Sequence, residues 1–167
     1  MGLEIERKFM LTAYPIAFIQ AGDIVIMKEQ FIEQTYLALD GDQELRARKI
    51  TDLSTNEVEY THTFKKGWGL AREEVEYHIS EGLYKQIMEA HGTIPLTKKR
   101  TTAAWNNRVI EIDEYDQIQL AVLEVEFLTL EEAENFIAPE WFGRDISTSK
   151  EYSNKKVWSD LQNRGEQ

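Results

Sequence analysis

The chain has no cysteine among its 167 residues. Disulfides, thiolate metal sites, iron–sulfur clusters and cysteine nucleophiles are thereby excluded. Histidine is nearly as scarce. His62, His78 and His91 are the only imidazoles, and none has the i, i+4 helical spacing of a zinc hydrolase motif. Any metal site must then be built mainly from carboxylates, and oxygen donors select hard cations such as Mg²⁺ or Mn²⁺, which commonly hold phosphates. Proline is limited to Pro15, Pro95 and Pro139, and there is no Pro- or Gly-rich linker, internal repeat or low-complexity tract. No apolar run approaches the ~20 residues of a membrane span, and the N-terminal region lacks the long apolar stretch of a secretory signal. The expectation is a cytoplasmic protein with no membrane association.

Positive charge is also in short supply. Nineteen Lys and Arg stand against thirty Asp and Glu, a net charge of −11. That balance argues against binding nucleic acid, whose affinity rests on many cations neutralising phosphates over a wide surface. A small anion is a different matter, because a local basic cluster can hold it while metal ions bridge it to nearby carboxylates. A chain that is 42% hydrophobic and 29% charged has globular rather than disordered composition. Its length suits one domain, expected over residues 1–162 with a frayed tail at 163–167.

Period-2 alternation predicts strands at 3–11, 29–39, 44–50, 57–66, 72–79, 94–102, 107–115 and 119–128. Gly41-Asp42 and Asp116-Gln117 supply turn residues for antiparallel hairpins. Helices are expected at 16–21, 81–91, 130–136 and 154–161. Thr129 and Glu132 form a capping box, and Gly92 is placed to end the preceding helix. The fold class is therefore α+β, mainly antiparallel β, with about eight strands in a barrel or sandwich that carries helices on its outside or ends.

Charged residues recur at i, i+2, which places both side chains on one face of a strand. The first strand has Glu4, Glu6 and Lys8. Arg46 and Arg48 follow on the third, Lys65 on the fourth and Glu74 with Glu76 on the fifth. Lys98 and Arg100 lie on the sixth, Glu111 and Asp113 on the seventh, Glu124 and Glu126 on the eighth. For any single strand the ordinary reading puts the charges in water. Together, basic and acidic pairs segregate by strand, and a barrel with these faces inward cannot pack dry without ions, water or ligand. Periodicity alone does not choose between the two faces. Arg7, Lys66 and Lys99 are out of phase with the set and read as solvated. Trp68, Trp105, Trp141 and Trp158 read as core or barrel-rim residues, although an indole can also stack an organic ring.

Glu4-Ile5-Glu6-Arg7-Lys8 resembles the Glu-x-Glu-x-Lys signature of the CYTH superfamily, the triphosphate tunnel metalloenzymes. Arg46-Ala47-Arg48, the lysine in Thr63-Phe64-Lys65, and Arg72-Glu73-Glu74-Val75-Glu76 follow in the family's order. So do Lys98-Lys99-Arg100, Glu111-Ile112-Asp113, Glu124-Val125-Glu126-Phe127 and Tyr152-Ser153-Asn154, so that the match runs from Glu4 to Asn154.

The resemblance implies a closed eight-stranded antiparallel barrel whose interior is a triphosphate tunnel, with the charged faces inward and helices at the periphery. Arg46, Arg48, Lys65, Lys98 and Arg100 would then bind the phosphate chain, and Lys8 would neutralise charge beside the scissile phosphate. Glu4, Glu6, Glu74, Glu76, Asp113, Glu124 and Glu126 match the acidic clusters that hold Mg²⁺ or Mn²⁺. Glu111 matches more loosely. The activity implied is hydrolysis of a small-molecule triphosphate, foremost inorganic triphosphate as in small bacterial tripolyphosphatases. A class IV adenylyl cyclase, a thiamine triphosphatase and a non-catalytic polyphosphate or nucleotide binder remain the alternatives. Dimers occur in the family, so a homodimer is compatible with the resemblance.

Overall fold

Alternation of polar and apolar residues along the chain is expressed as eight strands. In the computed structural model, which describes residues 2–164, these are β1 (Gly2–Met10), β2 (Ile24–Asp40), β3 (Gln43–Asp52) and β4 (Val58–Lys66). The rest are β5 (Ala71–His78), β6 (Leu96–Trp105), β7 (Arg108–Tyr115) and β8 (Leu120–Glu126). Helices α1 (Ile16–Ala21), α2 (Glu81–His91), α3 (Leu130–Asn135) and α4 (Asn154–Arg164) complete the fold, with a 3-10 turn at Lys150–Tyr152. Of the expected tail, Asn163 and Arg164 continue α4, and 165–167 lie outside the described residues.

The strands form a closed barrel in the order β1-β5-β4-β3-β2-β6-β7-β8, every pair antiparallel. Closure leaves no sheet edge to template aggregation. Because β1 and β2 are not neighbours, and neither are β5 and β6, α1 and α2 serve as crossovers rather than hairpin turns. Sequence alternation placed the start of β2 five residues late. The register shift between Ile26 and Lys28 is a bulge that interrupts the period-2 pattern. It also ended the sixth strand early. Asn106 and Asn107 both take positive φ, 49° and 58°, which is the two-residue hairpin turn whose twist matches the flanking strands, so β6 and β7 run on to Trp105 and Arg108.

The hydrophobic core lies mostly outside the barrel wall. Ile5, Phe9, Ile110, Ile112, Leu123 and Val125 are buried beneath α1, α3 and the segment carrying Phe136, Trp141 and Phe142. Phe9 packs edge-on against Phe142 at 5.0 Å between centroids, and Trp105 against Trp141 at 5.7 Å. Burying an aromatic side chain of this kind contributes about 1.5–3 kcal/mol. Gly143 admits this close approach, because a Cβ there would collide with the Met10 carbonyl oxygen. A second cluster, Leu96, Tyr115, Val122, Ile146 and Val157, seats α4 against the barrel, and Tyr36 meets Trp158 at 5.6 Å.

Arg7 corrects the expectation of a solvated side chain. It donates to the Ala133 and Phe136 carbonyls at 3.1 and 2.6 Å and pairs with Asp145 at 2.5 Å. A guanidinium has five donors in a fixed fork, and here they tie the outer face of β1 to the C-terminal segments. Among the described residues no helix is long and apolar enough to cross a membrane.

Candidate functional site

With the apolar face of each strand turned outward, the alternate charged face turns in. Arg46 and Arg48 project from β3, Lys65 from β4 and Arg100 from β6 into an interior cavity of about 230 Å³. Glu4 and Glu6 face them from β1, Glu74 and Glu76 from β5, and Glu124 and Glu126 from β8. Pairing register explains the grouping: Glu6 stands opposite Glu126, Lys8 opposite Glu124, and Lys65 opposite Glu74. All the residues expected from sequence to form the site line this cavity except Lys8, Lys98 and Asp113. Lys8 opens instead onto an adjoining cavity of about 640 Å³, and its Nζ donates to the Tyr152 carbonyl at 2.7 Å. Lys98 and Asp113 are fully buried.

Asp113 is the anchor of the cationic wall. It accepts from Lys98 at 2.7 Å and from two nitrogens of Arg100 at 2.7 and 2.8 Å. Burial opposes its ionisation, but Arg100 and Lys98 outweigh that and hold the carboxyl well below the usual range. Burial also pulls Lys98 below an ordinary lysine, against the attraction of Asp113 and with the help of Arg100 and Arg48. Glu111, the loosest match in the sequence, lines the cavity and is ion-paired to Arg100.

Arg46 and Arg48 are different. Both are buried, at 4% and 7% exposure, and among the described residues neither is ion-paired with a carboxylate. Arg46 Nε has no hydrogen-bond partner, and Arg48 Nε donates to the neutral amide of Gln34 at 3.0 Å. Burial and the neighbouring guanidiniums of Arg46 and Arg100 bring Arg48 down to about 10, still fully charged near neutrality. Against burial, carboxylates at longer range, Glu44, Glu4 and Glu74, favour the charged form of Arg46, but two buried guanidiniums in no direct ion pair keep donors that an incoming anion would engage.

The acidic wall has the opposite excess. Glu6 is pushed well above the carboxylate range by burial, then by Glu124 and Glu4. Glu126 rises to about 8 through burial and its hydrogen bond with Glu111. Glu4 and Glu124 are better served: burial raises both, but Lys65, at 2.6 Å, and Arg46 bring Glu4 to about 2, and Lys8 and Arg100 lower Glu124. Crowded carboxylates that resist ionisation are a donor set short of a cation, and all their donors are hard oxygens. Among the described residues no three His, Cys, Asp or Glu side chains converge in metal-ligating geometry, so the fit is one of charge and donor type.

Sequence reasoning missed three participants. Glu44, 4% exposed, shares parity with Arg46 and Arg48, so the i, i+2 signal was there to read; it meets Arg72 at 3.3 Å. Gln34 is fully buried and carried no charge to draw notice. Asn154, matched in the family series but given no role there, lines the cavity and accepts from Tyr115 Oη.

Comparison with known proteins agrees with this geometry. The sequence pattern of the CYTH domain matches residues 2–160. The inorganic triphosphatase of Nitrosomonas europaea is 31% identical over 158 residues, 92% of this chain and 95% of that protein. The inorganic triphosphatase of Acetivibrio thermocellus is 28% identical over 162 residues, 94% of each. A crystal structure of an inorganic triphosphatase superposes with a TM-score of 0.62 at 28% identity, covering 95% of both chains. An inward-charged, closed eight-stranded barrel and a sequence match over nearly its whole length make this chain a member of the CYTH domain family.

Proposed function

We propose that this barrel hydrolyses a triphosphate, foremost inorganic triphosphate, with the help of divalent cations, Mg²⁺ or Mn²⁺. The observation that carries the reading is the pair of buried guanidiniums of Arg46 and Arg48, in no direct ion pair among the described residues, facing crowded carboxylates of which Glu6 and Glu126 resist ionisation. The two relatives are inorganic triphosphatases, which supports the same substrate. The setting implied is a single catalytic domain over residues 1–162, acting on a small molecule in the cytoplasm.

In this reading Arg46, Arg48, Lys65 and Arg100 hold the phosphate chain by charge-assisted hydrogen bonds, and Lys98 reinforces them from beneath. Lys8 neutralises charge beside the scissile phosphate. The cation-holding set is Glu4, Glu6, Glu74, Glu76, Glu124 and Glu126. Asp113, whose oxygens are both engaged by Lys98 and Arg100, we assign to fixing those cations rather than to a metal. A divalent cation, when bound, supplies Lewis-acid neutralisation of phosphate oxygens. The chain's own contribution is to align the phosphates in line with an attacking water and to stabilise charge in transfer.

The test is phosphate and cyclic nucleotide release by the purified protein, with inorganic triphosphate and ATP side by side, under Mg²⁺, Mn²⁺ and a chelator. Fast phosphate release from triphosphate that the chelator abolishes is the expected result. Cyclic AMP from ATP would replace the hydrolase with a lyase, and no product from either would leave a binder.

A further inference from the structure

The charge lining the interior changes sign along the barrel. Around the inner cavity seven carboxylates face four cations, whereas around the larger adjoining cavity four carboxylates face seven cations. The two spaces share Glu4, Glu6, Arg46, Lys65, Glu124 and Asn154 on their walls and therefore adjoin. The additional cations of the larger space include Arg72, Lys150, Lys155 and Lys156.

Trp68 stands at this rim, on the Gly67-Trp68-Gly69 turn between β4 and β5. The turn is possible because Gly67 and Gly69 take φ of 126° and 83°. Its indole is 63% exposed and belongs to neither apolar cluster, so core packing does not account for it. What does lie against it is charge. Lys150 Nζ, from the 3-10 turn, and Lys155 Nζ, from the first turn of α4, sit 5.4 and 5.5 Å from its ring centroid. An aromatic face orients an ammonium group without neutralising it. Among the described residues Lys150 has no carboxylate partner. Lys155 has only Glu44, at 3.9 Å, which Arg72 already engages at 3.3 Å.

A protein of net charge −11 repels a phosphate chain over most of its surface, and a focused basic mouth is what offsets that repulsion. We propose that Lys150 and Lys155, held on Trp68, form an outer docking site for the phosphate chain, which enters by the larger cavity on its way to Arg46 and Arg48. The inference rests on the proposed function for the identity of the anion.

The experiment is stopped-flow binding of inorganic triphosphate to the full chain, read by tryptophan fluorescence, as a function of salt. The double variant Lys150→Gln/Lys155→Gln should associate about tenfold more slowly at low ionic strength. The difference should close near 1 M salt, where the screening length falls to about 3 Å, and dissociation should change much less. Lys85→Gln/Lys99→Gln, which removes the same charge from the outer surface, should match the wild type. An unchanged association rate in the rim variant, a deficit that persists at high salt, or an equal deficit in the control pair would each overturn the docking site. If the wild type binds no triphosphate, the proposed function fails and this inference falls with it. Normal binding with an unaffected rim variant sinks the inference alone.

Discussion

Lys65 reaches past β5 to Glu4, its Nζ 2.6 Å from the carboxylate, and so joins β4 to β1, strands that are not neighbours in the barrel. The contact braces the interior and supplies the charge that Glu4 needs when no ligand is present. In the proposed site the same ammonium contacts phosphate. Lys65→Ala should weaken triphosphate binding by at least about tenfold, the equivalent of one charge-assisted hydrogen bond of about 1.5–3 kcal/mol. Calorimetric titration checks this, and wild-type affinity in the variant would remove Lys65 from the site.

Glu126 gives a pH signature. Burial and the hydrogen bond with Glu111 push its carboxyl up to about 8 in the fold, from an ordinary value of 4.5. Between those values the folded chain keeps a proton that the unfolded chain has lost, so stability falls as pH rises through the interval. Glu126→Gln abolishes that loss. Its melting temperature should equal the wild type's near pH 4.5 and exceed it at pH 8. Saturating Mg²⁺, which would relieve the same repulsion, should raise the wild type more than the variant. A gain of the same size at both pH values would mean that the repulsion is not the cause.

Glu6 and Lys8 test chemistry separately from folding. Glu6→Gln keeps the shape of a carboxyl that is already crowded by Glu124 and Glu4, and Lys8→Ala removes only one hydrogen bond, to the Tyr152 carbonyl. Each should lower kcat by about 10²–10³, the range for loss of one group that stabilises transferring charge. Circular dichroism melts should stay close to the wild type. Undiminished turnover in either variant excludes that residue from the mechanism.

Gln34→Leu tests the neutral partner of Arg48. The amide oxygen accepts from Arg48 Nε at 3.0 Å in a fully buried position. Leucine leaves that donor unsatisfied, at a cost of about 1–3 kcal/mol. The urea midpoint should fall accordingly, and addition of triphosphate should restore part of the loss. A midpoint equal to the wild type's would show that Arg48 finds another acceptor.

The strands and the inward charge were legible because they share one period. Glu4 with Glu6, Arg46 with Arg48 and Glu124 with Glu126 each mark a face, and family resemblance told which face was inside. What escaped the sequence did so for local reasons. A bulge after Ile26 broke the alternation of β2. Arg7 has outward parity and reads as solvated until α3 and the Phe136 segment fold over it. Gln34 is uncharged, and its importance lies only in a partner 14 residues away. The order of strands around the barrel, with β1 between β5 and β8, leaves no trace in periodicity.

The apolar cover described above is one-sided. Neither cluster draws a buried residue from β3, β4 or β5, so those strands are held by their ladders, by α2 through the Tyr60–Tyr84 contact at 4.9 Å, and by the ionic braces inside. Regions with few buried apolar contacts open at lower free energy than the rest. Backbone amides of β3 to β5 should therefore exchange with solvent deuterium well before those of β1, β7 and β8. This compliant half carries Arg46, Arg48, Lys65, Glu74 and Glu76, whereas Glu4, Glu6, Glu124 and Glu126 ride on the stiff half. An anion and its cations bound between them would act as a splice, and the slowing of exchange on loading would appear chiefly in the strands with the least hydrophobic backing.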